Sequence, residues 1–91
     1  MFYYVYLLEG KDKSWYIGYT ADLGKRFASH NKGENKATKS KRPWKLIYCE
    51  AYRSRIDAKK RERFLKSGSG RRFLKNQLKD FLKGQIQHPP R

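Results

Sequence analysis

Two runs rich in aromatic and β-branched residues, Phe2–Leu8 and Ser14–Thr20, flank the polar tetrad Gly10-Lys11-Asp12-Lys13. That pattern predicts a β-hairpin. A register with Tyr6 opposite Tyr16 and Tyr4 opposite Gly18 puts both phenols on one face, beside a glycine that leaves room for something to approach. A helix follows, with Thr20 as N-cap, Asp22 in its first turn and a buried stripe of Leu23, Phe27 and Ala28. Arg26 and His30 are i,i+4 neighbours at the edge of that stripe. Asn31–Pro43 has no periodicity and reads as a basic loop, either a binding loop or a mobile one. Trp44–Tyr52 is apolar on both faces and predicts the strand best covered by helices.

Ser54 and Asp57 form a capping-box variant that opens a second helix through Lys66, with Ile56, Ala58, Phe64 and Leu65 apolar and Glu62 on the shoulder of the buried face. Ser67-Gly68-Ser69-Gly70 breaks the chain. Ser69 then caps a third helix over Arg71–Lys83, whose Phe73, Leu74, Gln77, Leu78, Phe81 and Leu82 recur at helical spacing; Gly84 ends it. The order is β-β-α-β-α-α. This is an α/β (α+β) arrangement: a small, three-stranded, mostly antiparallel sheet flanked by helices, with residues 1–83 as one domain and 84–91 as a disordered tail.

Charge changes the picture more than size does. Twenty-three Lys and Arg against eight Asp and Glu leave a net charge of +15 on 91 residues. Such an excess attracts polyanions, and nucleic acid is the obvious one, DNA first with RNA not excluded. A membrane surface fits less well, because the basic residues are spread over every element and no run approaches the ~20 apolar residues of a span. A strand within two residues of the N-terminus leaves no signal peptide, and a lone Cys49 with His30 and His88 argues against structural zinc. A cytoplasmic protein is expected. Gly18, Lys25, Lys36, Lys39, Lys41, Arg42, Arg71 and Arg72 are the candidate nucleic-acid contacts.

The residues exclude several chemistries. His30 has no G-x-S-x-G partner, and no phosphate-binding G-x-x-x-x-G-K-[ST] loop is present. Two-metal hydrolysis needs converging carboxylates. Asp22 and Asp57 serve as caps, and Glu9, Asp12 and Glu34 lie on turns or loops, which leaves Glu62 as the half-buried helical carboxylate able to hold one ion.

Tyr4-Val5-Tyr6, then Tyr16-Ile17-Gly18, then Asp22-Leu23 with Arg26 and His30, then Glu62 on a later helix, together resemble the GIY-YIG nuclease domain. The resemblance covers residues 3–80 and is nearest to small stand-alone bacterial members, similar to the N-terminal catalytic domain of the excinuclease C subunit. Tyr4 replaces the first glycine of the motif. The resemblance implies a divalent-metal-dependent DNA endonuclease, with a place in repair or recombination and a protein partner that supplies specificity. It implies that Glu62 binds one Mg²⁺ or Mn²⁺, that Arg26 clamps the scissile phosphate, and that Tyr6 and Tyr16 bracket the attacking water. His30 then relays a proton or bonds a phosphate oxygen. Tyr6 is slightly favoured over Tyr16 as the base, provided a cationic field lowers its pKa. The competing expectations are a basic nucleic-acid-binding protein without turnover and a small interaction subunit within a larger repair complex.

Overall fold

The structure is a computed structural model and describes residues 1–86. Strands β1 (Tyr3–Glu9), β2 (Trp15–Thr20) and β3 (Lys45–Tyr52) form one antiparallel sheet in the order β2-β1-β3. Helix α1 (Leu23–Lys32) follows the hairpin, and α2 (Arg55–Lys66), α3 (Gly68–Gln77) and α4 (Lys79–Ile86) follow β3.

The hairpin loop is longer than expected, and this shifts the register. Gly10 N–H donates to the Ser14 carbonyl at 2.8 Å and Lys13 N–H to the Gly10 carbonyl at 2.9 Å, while Lys13 takes a left-handed φ of 69°. The Asp12 carboxylate accepts from the Ser14 amide at 3.0 Å and closes the turn. With five residues in the loop, Tyr6 pairs with Gly18 and Leu8 with Tyr16, two positions away from the expected register. Side chains alternate with period two, so the slip leaves Tyr6 and Tyr16 on the same face.

The central strand is β1, not β3. It is hydrogen-bonded on both edges and buried from Val5 through Glu9, whereas β3 is an edge strand of mixed exposure. Val5, Leu7 and Ile17 on one face pack against Ala58 and Leu65 of α2 and Leu74 of α3. Tyr6 and Leu8 on the other pack with Trp44, Tyr16, and Leu23 and Phe27 of α1. A bulge between Leu7 and Leu8 in the β1–β3 pairing sets Tyr48, Glu50 and Tyr52 opposite Leu7, Val5 and Tyr3, on the α2 side.

Several local expectations are corrected. Asp22, not Thr20, caps α1 by accepting from the Lys25 amide at 3.1 Å, while the Thr20 hydroxyl accepts from the Asp22 amide at 3.0 Å. Ser54 caps α2 as expected, but Ile56 is 67% exposed and Phe64 38%. Ser67, not Ser69, caps α3, which begins at Gly68. Gly70 therefore lies inside a helix, pressed against the backbone of Phe64 and Leu65 with no room for a Cβ. The long third helix is two helices divided at Leu78. Gly84 does not end the second of them, which runs on to Ile86; Gln85 donates to the Glu9 carboxylate of β1 at 2.8 Å and holds this helix to the sheet. Of the expected tail, residues 84–86 are thus helical, and 87–91 lie outside the described residues.

Candidate active site

On the α1 face of the sheet, three of the five expected catalytic side chains touch. The Tyr6 Oη and His30 Nε2 are 2.9 Å apart, and the Tyr16 ring lies edge-on to His30 at 5.0 Å between centroids and 6.4 Å from the Tyr6 ring. His30 is not at the edge of a helix stripe; it is wholly enclosed, because the loop after α1 folds over it. That loop puts the Thr38 hydroxyl 2.8 Å from His30 Nδ1.

The loop is held in place rather than mobile. The Asn31 side chain takes both backbone groups of Trp44, accepting from its N–H at 2.6 Å and donating to its carbonyl at 3.0 Å. The Trp44 indole N–H donates in turn to the Thr38 carbonyl at 2.8 Å. Asn31, Thr38 and Trp44 were missed as site residues from sequence, since a stretch without periodicity gives no sign of which polar groups turn inward.

Gly18 also has a different role from the one expected. The Tyr6 ring lies across it, and a Cβ there would stand 2.9 Å from Tyr6 Cε2 and closer still to Cζ and Oη. The space left by the glycine is filled by the phenol of the paired strand.

Arg26 and Glu62 act on this cluster electrostatically, Arg26 from α1 and Glu62 from α2, the helix packed against the Val5, Leu7 and Ile17 face. Arg26 is exposed on α1 and opens, with Lys25, onto a cavity of about 460 Å³. Glu62 is half-buried on α2, with Lys66 Nζ 3.0 Å from one carboxylate oxygen and Lys59 Nζ 3.9 Å from the other. Both residues bias the Tyr6 phenol. Burial raises its pKa well above 10, the Tyr16 and Glu62 charges raise it further, and Arg26 opposes them. The cationic field expected to lower this pKa is outweighed by burial. His30 is held below its ordinary 6.5, by burial first and by Arg26 second, so its imidazole is neutral at pH 7 and able to accept a proton.

The half-buried Glu62 carboxylate is the oxygen donor type that hard divalent ions take. Mg²⁺ is commonly bound through one or two carboxylates, with water and substrate phosphate completing its shell. Lys66 and Lys59 lie against the same carboxylate, so an ion held there would displace or share it with these ammonium groups. Among the described residues no three His, Cys, Asp or Glu side chains converge.

The candidate nucleic-acid contacts separate into groups. Lys36, Lys39 and Arg42 meet Lys11, which was not anticipated, around a cavity of about 620 Å³. Arg42 is fixed there: its Nε donates to the Lys39 carbonyl at 2.8 Å and its guanidinium covers Gly33, the left-handed cap of α1. Lys41 instead approaches Asp12 at 3.6 Å. Arg71 lies over the Trp15 ring at 5.1 Å and Arg72 donates to Ser69 at 3.1 Å, both on α3.

A further cluster escaped the sequence reading. Glu50 takes two bonds from Arg61, at 2.8 and 3.0 Å, and one each from Tyr48 and Tyr52, at 2.6 and 2.7 Å. It joins edge strand β3 to α2, the helix that carries Glu62. Among the described residues no helix is long and apolar enough to cross a membrane.

A family model described as the GIY-YIG catalytic domain matches residues 2–77. A UPF0213 protein of Streptococcus pneumoniae is 45% identical over 64 residues, spanning 69% of this chain and 65% of that protein. One from Staphylococcus haemolyticus is 42% identical over 74 residues, covering 80% and 90% of the two chains. One from Halalkalibacterium halodurans is 41% identical over 89 residues, covering 97% and 93%. The solution NMR structure of a UPF0213 protein from Bacillus halodurans is similar at 38% identity, covering 81% of this chain and 82% of that one, with a TM-score of 0.52.

Proposed function

The chain belongs to the GIY-YIG catalytic-domain family, and from that membership we propose that it is a divalent-metal-dependent endonuclease that hydrolyses DNA phosphodiester bonds. The family is one of nucleases, and a nucleic acid is its substrate class. The observation that carries the finer reading is the 2.9 Å contact between Tyr6 Oη and a buried, neutral His30 Nε2, on which an exposed Arg26 and a half-buried Glu62 both act electrostatically.

In this reading the Tyr6 phenol acts as a base through relay, without being ionised beforehand. As water attacks phosphorus, its proton passes to Tyr6 Oη while the phenolic proton passes to His30 Nε2; the bond from phosphorus to the leaving oxygen breaks, that oxygen takes a proton from solvent water, and the imidazolium returns its proton through Tyr6 once product has left. The neutral pair forms an imidazolium only as negative charge builds on the phosphate, so no charged pair has to exist before attack. Tyr16, more exposed than Tyr6, orients the water. Arg26 offers guanidinium donors to the phosphate oxygens where that charge grows. Glu62 would hold Mg²⁺ or Mn²⁺, which supplies Lewis-acid stabilisation of the same oxygens.

The cavity between Lys11, Lys36, Lys39 and Arg42 suits non-scissile phosphates, which position a duplex without reading its sequence. The net charge of +15 alone also suits a second reading, nucleic-acid binding without turnover.

Cleavage of supercoiled plasmid and branched DNA with Mg²⁺ or Mn²⁺ decides between them. The nuclease reading expects cutting that a chelator abolishes and that Glu62→Ala eliminates, while DNA binding by the variant is kept or strengthened. Chelator-insensitive binding with no cutting supports the second reading. Wild-type cutting by Glu62→Ala removes the assignment of Glu62.

A further inference from the structure

We propose that Thr38 is a positioning residue for this reaction: its hydroxyl holds the His30 ring as the Nδ1–H tautomer, so that the Nε2 lone pair faces the Tyr6 phenol. The inference rests on the nuclease reading for its kinetic consequence, and on geometry alone for the tautomer.

A threonine hydroxyl has one proton to donate and lone pairs to accept with. The Thr38 hydroxyl lies within reach of the Asn35 carbonyl at 3.4 Å, and a carbonyl can only accept. Donating there, Thr38 accepts at its second contact, from His30 Nδ1–H at 2.8 Å. An imidazole protonated at Nδ1 carries its lone pair on Nε2, and the contact at 2.9 Å is then Tyr6 O–H donating to His30. The chain runs in one direction, from Tyr6 through His30 and Thr38 to Asn35. The opposite arrangement, with Thr38 donating to Nδ1, leaves Thr38 no proton for the Asn35 carbonyl and turns Nε2 into a donor with no lone pair facing Tyr6.

Burial narrows the alternatives. His30 and Thr38 are both fully enclosed, so solvent does not replace either partner, and among the described residues no buried side-chain polar atom lacks one. The backbone fixes where the hydroxyl sits. Thr38 N–H donates to the Asn35 carbonyl at 3.1 Å, and the Thr38 carbonyl accepts from Lys41 N–H at 3.2 Å and from the Trp44 indole at 2.8 Å. A side chain held by three bonds on its own backbone has the rigidity needed to set a neighbour's tautomer.

The test begins with ¹⁵N NMR of the His30 ring, on full-length protein without DNA or metal and with His88→Gln so that one imidazole reports. Wild type and Thr38→Ser should both show a protonated Nδ1 and an unprotonated Nε2. The near-isosteric Thr38→Val, which has no acceptor, should shift the population toward Nε2–H. In cleavage assays Thr38→Val should lose kcat by about 10²-fold, within the range acid–base groups contribute, with KM for DNA unchanged; Thr38→Ser should stay near wild type. An Nε2–H tautomer in wild type, or wild-type kcat in a folded Thr38→Val, overturns the proposal. If Thr38→Val does not fold, the wild-type and Thr38→Ser tautomers still decide it. If no DNA is cut by wild type, the nuclease reading fails while the tautomer result stands on its own.

Discussion

Substituting Gly18 by Ala should damage this protein through Tyr6 rather than through the backbone. Among the described residues the left-handed positions are Lys13 and Gly33, so an alanine at 18 meets no conformational penalty of its own. Its methyl carbon, however, would stand 2.9 Å from Tyr6 Cε2 and nearer to Cζ and Oη, positions that no real contact allows. Tyr6 is 3% exposed and wedged among Leu8, Trp44 and Tyr16, so its ring can yield only by lifting away from the sheet. Overpacking of this kind costs about 1–3 kcal/mol. Separating Tyr6 Oη from His30 Nε2 adds about 1 kcal/mol for a lost buried hydrogen bond. For a domain of this size each kcal/mol lowers Tm by roughly 4–8 °C, so the combined loss of about 2–4 kcal/mol should lower Tm by roughly 8–32 °C in calorimetry. Cleavage should fall by about 10² or more, because the relay is broken as well as displaced. A double-mutant cycle isolates the cause. In a Tyr6→Ala background the ring is gone, and Gly18→Ala should then cost almost nothing, a coupling equal to nearly the whole penalty. An unchanged Tm for Gly18→Ala, or an equal penalty with and without the Tyr6 ring, would refute this account of why a glycine stands there.

Two further predictions concern charge. Burial works to raise the Glu50 carboxyl, but the hydrogen bonds from Arg61, Tyr48 and Tyr52 outweigh it and hold the group below its ordinary 4.5. The unfolded chain therefore binds this proton first as pH falls, and stability that is fully present above 4.5 is lost as pH drops through the lower folded value. Urea midpoints measured across that window should decline in wild type, and Glu50→Gln should remove this part of the slope while lowering stability at pH 7; a slope that survives the substitution counts against the role given to Glu50. If the cavity around Lys11 holds backbone phosphates, replacing Lys36, Lys39 and Arg42 together by Ala should reduce the slope of log K against log salt by about 3, near 0.9 per contact. Under saturating DNA kcat should hold, and an unchanged salt slope would remove the cavity from the binding surface.

Much of this architecture follows from local pattern. Aromatic and β-branched runs around a polar turn form the hairpin, Ser54 starts α2 where its spacing from Asp57 requires, and period-two alternation sets Tyr6 and Tyr16 on one face even though the register moved by two. Each of these depends on residues near one another in the chain, whose hydrogen bonding and periodicity are written in consecutive letters. The spaced tyrosines, Arg26, His30 and Glu62 were likewise readable, as a motif. What they do to one another was not. The centrality of β1 depends on which strands pair, and the helical pattern from Phe73 to Leu82 runs unbroken through Leu78, where the backbone itself leaves the helix at φ −103° and ψ 20°. Gly18 looked like an opening because the ring that fills it comes from another strand. His30 is buried because Asn31 and Trp44 clamp an aperiodic loop over it and bring Thr38 to its far nitrogen. Burial and hydrogen-bond direction belong to groups that meet only after loops close, and no periodicity along the chain records that closure.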